Sequence, residues 1–312
     1  MDKLKDRIAS TFKSSDTEEW IDVHYTRPIG FLWAQCFNHF GIYPNVVTIL
    51  SIILGIGAGY MFCYSDLLHN LLGVFLLSWA NIYDSTDGQL ARMSGKKTRC
   101  GRILDGFEGD VWFFCIYLAL CLRLYNQDIP LTHHRWGILI FVAAALCGIV
   151  FHARQARLAD YYRNIHLFFL RENASELDSS RQQQSQLDNT PRKGHFWWRV
   201  FLWFYIGYTK AQERATPQFQ KLYCELQNRY PNGLPEKLRQ DFRQQSLPLM
   251  KWANALTFNL RALCLYACCL LDIPWLYLLI EAVPFTIIAA WMHHRHETIC
   301  QLTLNDILAG KY

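Results

Sequence analysis

Charge is scarce in this chain. Asp, Glu, Lys and Arg make up 18% of its 312 residues, against roughly 25% in soluble domains, and the deficit is concentrated in blocks. The stretch "VVTILSIILGIGAGYMFC" (46–63) has no charged residue, enough to cross a hydrocarbon core of ~30 Å with little tilt. That sets a soluble globular class aside in favour of a polytopic membrane one. Cysteine-based metal patterns are missing too. Of eleven cysteines, Cys63, Cys115, Cys121, Cys147, Cys264, Cys268 and Cys269 lie in or at the ends of apolar runs. No CxxC pair and no Cys/His ligand spacing is seen, so these thiols read as small buried hydrophobes. There is no internal repeat, no heptad pattern and no glycine-rich phosphate loop. The N-terminus "MDKLKDRIASTFKSSDTEEW" lacks an apolar core and does not read as a cleaved signal peptide. The net charge of +5 is mild and decides little between membrane surface and nucleic acid; no nucleic-acid partner is expected.

What is present is an all-α pattern. Apolar blocks at 46–63, 70–92, 101–122, 136–153, 252–271 and 273–292 predict six transmembrane helices. Residues 20–43 mix aromatic and polar residues and predict an interfacial amphipathic helix. The expected division is 1–43, the N-terminus and interfacial helix; 44–170, helices one to four; 171–250, a polar cytoplasmic helical insert; and 251–312, helices five and six with a tail. Within the insert "HFWWRVFLWFYIGY" (195–208) is too short and too rich in Trp and Tyr for a span, and is expected along the cytoplasmic interface. Lys96, Lys97 and Arg99 between spans two and three, the basic run after span four and Arg295 after span six put both termini in the cytoplasm. The loop 123–135 holds just Arg123 and Arg135, as the positive-inside rule asks of the other side.

One stretch breaks the apolar pattern: "YDSTDGQLARMSGKKTRCGRILDGFEGD" (83–110). On a helix Asp84, Asp87, Gly88, Ala91 and Arg92 share a face, and Gly101 and Asp105 share one on the next helix. Carboxylates beside membrane segments are costly unless something positive neutralises them. Three carboxylates converging from two helices suit Mg²⁺ or Mn²⁺. An ion network without metal is the alternative, but one nearby Arg leaves the acids in surplus.

These residues resemble the signature of the CDP-alcohol phosphatidyltransferases, D-x2-D-G-x2-A-R, about eight residues, then G-x3-D-x3-D. Asp84, Asp87, Gly88, Ala91, Arg92, Gly101 and Asp105 fall in register, and "YPNVVT" (43–48) is similar to the Pro-Asn-x-x-Thr opening the family's first span. The resemblance covers 25–165 well and 251–294 loosely; the insert has no counterpart in smaller members. It implies two Mg²⁺ or Mn²⁺ ions on the aspartates and a CDP moiety over Gly88, Ala91, Arg92, Gly101 and Thr48. It also implies a homodimer, and transfer of a phosphatidyl group from a CDP-linked lipid to an alcohol with release of CMP. The family's last Asp, both ligand and base, should stand at 109, where this chain has Gly109 between Glu108 and Asp110. On an ideal helix, relative to Asp105, position 108 lies ~60° one way and 110 lies ~140° away, unless a π-bulge turns Asp110 back. Asp110 is preferred for its carboxylate length, with Glu108 close behind; a catalytically impaired member or a membrane scaffold is the further alternative.

For the acceptor, Arg154 and Arg157 at i, i+3 offer a clamp for a phosphate, their bland reading being a basic flank. Arg261, beside Asn259 inside span five, is expected to pair with Asp105 or Glu281 or to reach the acceptor. A polyol phosphate such as inositol phosphate or glycerol phosphate is therefore favoured. The runner-up is a choline/ethanolamine-type transferase acting on diacylglycerol or a sphingoid lipid, with the same metal motif.

Overall fold

The computed structural model describes residues 14–96, 98–170, 177 and 179–312. The charged start of the chain and Lys97 lie outside these, as do 171–176 and 178 of the insert. Among the described residues the chain is helical, with one isolated bridge, Asp128 to Arg135. It divides into two compact units, Met1–Ala153 with Asn259–Pro284 and Arg154–Phe258 with Phe285–Tyr312. The divisions fall at 153/154, 258/259 and 284/285.

The first unit begins with a helical run from Trp20, through a π-helical turn Asp22–Thr26, into α1 (Arg27–His39). This run covers 20–39 of the 20–43 stretch and leaves Trp20, Tyr25 and Leu32 exposed. α2 (Pro44–Phe62) starts with Pro44 at its first position, where the missing N–H costs nothing. α3 (Leu67–Ser94) is capped by Asp66 and ends at Gly95, whose φ of 68° is left-handed. α4 (Arg99–Leu124) follows, capped by Thr98. α5 (Leu139–Ala145) runs into a π-helical segment, Leu146–His152. α11 (Phe258–Leu270) and α12 (Pro274–Ala282) complete the unit.

α2 is built inside-out. Its buried residues include Thr48, Ser51, Gly55, Ala58 and Gly59, while Ile49, Ile53, Ile56 and Tyr60 are exposed. Small residues inward and large apolar ones outward are the arrangement of a helix in lipid. The glycines permit close approach. A Cβ at Gly59 would come within 2.8 Å of the Cys115 Cβ on α4, and one at Gly55 would collide with the Trp112 ring. Ser51 Oγ donates to the Ala80 carbonyl of α3 at 2.8 Å. The first helix thus draws the two motif-bearing helices against itself.

Four helical stretches among the described residues are long and apolar enough to cross a membrane: Pro44–Phe62, Leu139–Leu170, Glu236–Leu270 and Pro274–Leu308. α3 and α4 have the length, 28 and 26 residues, but their polar motif ends dilute the apolar stretch. The predicted spans at 252–271 and 273–292 are each broken, between Ala255 and Phe258 and between Ala282 and Pro284.

At the end of α4 remote from the acidic motif, Arg123 corrects its assignment to a loop. It belongs to the last turn of the helix, with its side chain 1% exposed. Nη1 donates to Asn70 Oδ1 (2.9 Å), and Nη2 donates to the Cys269 carbonyl (3.2 Å) and Asp272 Oδ1 (2.6 Å). One guanidinium ties together α3, α4 and the end of α11.

The second unit holds α6 (Ala153–Leu170, from Arg154), α7 (Ser180–Asn189), α8 (Phe196–Ala215), α9 (Pro217–Arg229), α10 (Glu236–Ala255) and α13 (Pro284–Leu308, from Phe285). The insert is therefore helical, held by rings such as Phe169 stacked on Phe242 at 3.7 Å. Tyr162 stacks on the buried His296 at 4.1 Å, and His296 Nδ1 lies 3.6 Å from Cys300 Sγ. His296, Glu297 and Cys300 form a group of ligand-type atoms, with a Cys/His spacing of i, i+4 in the histidine-rich stretch 293–300.

Arg123→Ala leaves Asp272, Asn70 and a buried carbonyl without their donor. The expected loss is about 1–3 kcal/mol from the neutral acceptors left buried, read as a lowered unfolding temperature of the detergent-solubilised protein, with Arg123→Lys intermediate.

Candidate active site

The helix expected over 80–95 is realised, since α3 is regular α-helix to Ser94. Asp84 and Asp87 therefore project from one face, and Asp105 meets them from α4. Carboxylate oxygens of the three lie within 4.8 Å of one another. Asp87 is buried, Asp84 half-buried and Asp105 exposed, so the cluster opens to one side. Like charges this close repel unless a cation stands between them.

The Pro-Asn-x-x-Thr stretch explains how the helices are held. The Thr48 hydroxyl, 2% exposed, donates to Asp87 Oδ2. Thr48 thus orients a cluster carboxylate from inside the protein. Asn45 Oδ1 accepts from the Thr98 hydroxyl (3.2 Å), which itself accepts from the Gly101 amide (2.9 Å). A Cβ at Gly101 would come 2.6 Å from Asn45 Oδ1. Gly101 leaves room for this contact between the starts of α2 and α4, which a side chain there would force Asn45 to give up. Gly88 differs. A Cβ there would meet only the Arg92 guanidinium, at 3.5 Å, and its place beside Asp84 and Asp87 is open. Ala91 is half-buried and Arg92 exposed. Gln89 Nε2 donates to the Arg27 carbonyl (3.2 Å), and Arg27 forks onto Glu18 (3.1 and 3.2 Å). The N-terminal helix therefore lies along the motif helix, with its own arginine already paired.

The departure at 108–110 takes a definite form. α4 is unbroken α-helix from Arg99 to Leu124, so the π-bulge that would turn Asp110 toward the cluster is absent. Asp110 is exposed, and the charge that acts on it is His152. Glu108 is 2% exposed and lies among Asp84, Asp87 and Asp105. Its carboxylate oxygens meet no N–H or hydroxyl donor and lie against the Asp84 carboxylate. A buried carboxylate in that state is costly without a counter-charge. The three aspartates form an all-oxygen set with surplus negative charge, which fits a hard divalent cation, and Glu108 lies buried beside them.

A second buried acid shows the opposite condition. Glu281 is fully buried, and its Oε1 accepts from Arg261 Nη1 (2.6 Å) and the Tyr277 hydroxyl (2.6 Å). The Tyr117 hydroxyl donates to Oε2, and His152 Nδ1 lies 3.3 Å from Oε1. Arg261 is 1% exposed and pairs with Glu281, one of the two acids expected to meet it. Neither Tyr117 nor Tyr277 stood out in the sequence, where a tyrosine in an apolar run looks like any other aromatic. In the second unit Arg154 and Arg157 lie one turn apart on α6, the first exposed and the second half-buried. Gln212 Nε2 donates to the Arg157 carbonyl, and the buried Arg157 Nε has no partner.

Comparison with known proteins bears on the same region. Residues 41–169 match the family model described as CDP-alcohol phosphatidyltransferase. A protein of Drosophila melanogaster named "Probable cardiolipin synthase (CMP-forming)" is 30% identical over 118 residues, 37% of this chain and 34% of the relative. The chain thus spans about a third of that relative's length. The stretch that matches the family model includes Thr48, both motif helices and the departure at 108–110.

Proposed function

We propose that the protein transfers a phosphatidyl group from CDP-diacylglycerol to the hydroxyl of a polyol or polyol phosphate, releasing CMP, at the cytoplasmic face of a membrane. The observation that carries this reading is Glu108, buried without an N–H or hydroxyl donor among three aspartates. The CMP-forming activity in the fly relative's name fits the same leaving group. α3 and α4 complete six spans, their apolar ends in lipid and their motif ends at the surface, and two copies form the working unit.

Asp84, Asp87, Asp105 and Glu108 would hold Mg²⁺ or Mn²⁺, in one or two sites. When bound, the metal offsets the charge on the diphosphate and on the departing CMP. Thr48 keeps the Asp87 carboxylate turned into the cluster. Gly88 and Ala91 leave room for the nucleotide beside the helix, and the exposed Arg92 guanidinium pairs with its diphosphate. The acceptor oxygen forms a bond to the phosphorus that carries the lipid. The bond from that phosphorus to the bridging oxygen breaks, CMP leaves with the electron pair, and Glu108 takes the acceptor's proton. Glu108 thus fills the role of the missing carboxylate at 109, one residue earlier and one methylene longer. Arg154 and Arg157 bind the phosphate of the acceptor.

Purified protein given CDP-diacylglycerol and a panel of alcohols should release CMP with inositol phosphate or glycerol phosphate. Turnover with CDP-choline or CDP-ethanolamine and diacylglycerol instead would establish the runner-up. Glu108→Gln should lower turnover about 10²–10⁴-fold, whereas Asp110→Asn should leave most of it; the reverse result assigns the base to Asp110.

Arg154→Ala and Arg157→Ala should raise the acceptor KM with little change in the KM for the CDP-lipid. Thr48→Val should weaken Mn²⁺ binding about 10–100-fold, measured by the electron paramagnetic resonance of free Mn²⁺ in the absence of substrate.

A further inference from the structure

α8 is apolar on two sides. One side, with Trp198, Phe201, Leu202 and Ile206, is buried, the usual stripe of a helix against a core. On the other side Phe196, Trp197, Trp203 and Phe204 are exposed, at 64, 77, 65 and 52%. At 100° per residue Phe196, Val200, Trp203 and Gly207 fall within about 60° of one another, with Trp197 and Phe204 widening the strip to one side. Trp197 sets its ring against Phe196 and Trp203 against Phe204, at 5.3 and 4.9 Å. The rings form a continuous aromatic strip rather than isolated exposed residues.

Charge frames this strip. Arg192, Lys193 and His195, all exposed, precede it, and the exposed Lys210 and Arg214 continue its line beyond the rings. The acid of the helix, Glu213, lies off this face and binds the amide and hydroxyl of Ser180 at 2.8 and 2.6 Å. An exposed aromatic surface of this size marks a contact site.

We propose that this face of α8 lies in the interfacial layer of an anionic lipid leaflet. The indole and phenyl rings sit at headgroup depth, and the cations at both ends meet lipid phosphates. Three observations favour a lipid surface. Trp and aromatic rings settle where apolar chains meet polar headgroups. Cations at both ends with no acid between them complement negative surface potential. The same unit carries residues 285–308 of an apolar helix long enough to cross a bilayer, so a membrane is always at hand. A second copy fits less well. Pairing two such faces, parallel or antiparallel, sets cations against cations, which is unfavourable. The inference rests on the membrane character of the chain and not on its proposed reaction.

The test uses the full-length protein in vesicles, with a fluorescent non-canonical amino acid at Trp203 and, in a second variant, at Trp197. Both positions are exposed, so neither replacement touches the core. In phosphatidylcholine vesicles containing phosphatidylglycerol, brominated lipid chains should remove most of the fluorescence, and aqueous iodide should have little effect. Strong iodide quenching would overturn the proposal in favour of a solvent-facing helix. Protection from both quenchers would overturn it in favour of a protein contact. Equal lipid quenching in pure phosphatidylcholine would overturn the assignment to anionic lipid.

Discussion

Mutual repulsion among the carboxylates of Asp84, Asp87, Asp105 and Glu108 is the constraint around which the first unit is organised. Three of these groups bring oxygens within 4.8 Å of one another, and the fourth is buried against them without an N–H or hydroxyl donor. Left alone, such groups would push α3 and α4 apart. The chain resists this with devices that carry no charge. Gly55 and Gly59 let α4 settle onto α2, Thr48 satisfies Asp87 from below, and Asn45 fastens the start of α4. At the far end Arg123 closes the same helices with four partners. Around the site itself the contacts are neutral, which leaves the charge to be supplied by what binds.

Glu281 shows what this protein does with a buried carboxylate that needs no ligand. It surrounds the group with Arg261, Tyr117, Tyr277 and His152 until each oxygen is met. The contrast between the two sites is the physical distinction between a structural acid and a binding one. Both are buried in helices of the same unit, so burial does not separate them. Satisfaction does.

Much of the site was legible in the sequence because a helix turns spacing into direction. Asp84, Asp87, Gly88 and Arg92 share a face wherever 80–95 is helical, and the ~60° and ~140° offsets of Glu108 and Asp110 follow from the same pitch. The preference for Asp110 needed a distortion of α4 that the structure does not have. The preference rested on side-chain length, and the regular hydrogen-bond ladder of the helix outweighed it. Gly101 and Thr48 fitted a ligand-binding pattern in the sequence. In the structure the first makes way for Asn45 and the second serves Asp87, partners more than thirty residues away that no local pattern announces. Lipid-facing and protein-facing sides of α2 were equally hidden, because a run with no charge has no polar side to read.

The sequence by itself determined that the chain is helical and membrane-bound, that two acidic helix ends come together, and that the pattern breaks at 108–110. Those properties follow from composition and helical period, which act over a few turns. Only the tertiary structure decided that Arg261 belongs to Glu281, that Arg123 is a buried clamp rather than a loop residue, and that Glu108 is buried while Asp110 is exposed. Each of these depends on which helices meet and at what depth. A charged side chain is stabilised by the partner that reaches it, and its own residue number does not say which partner that is.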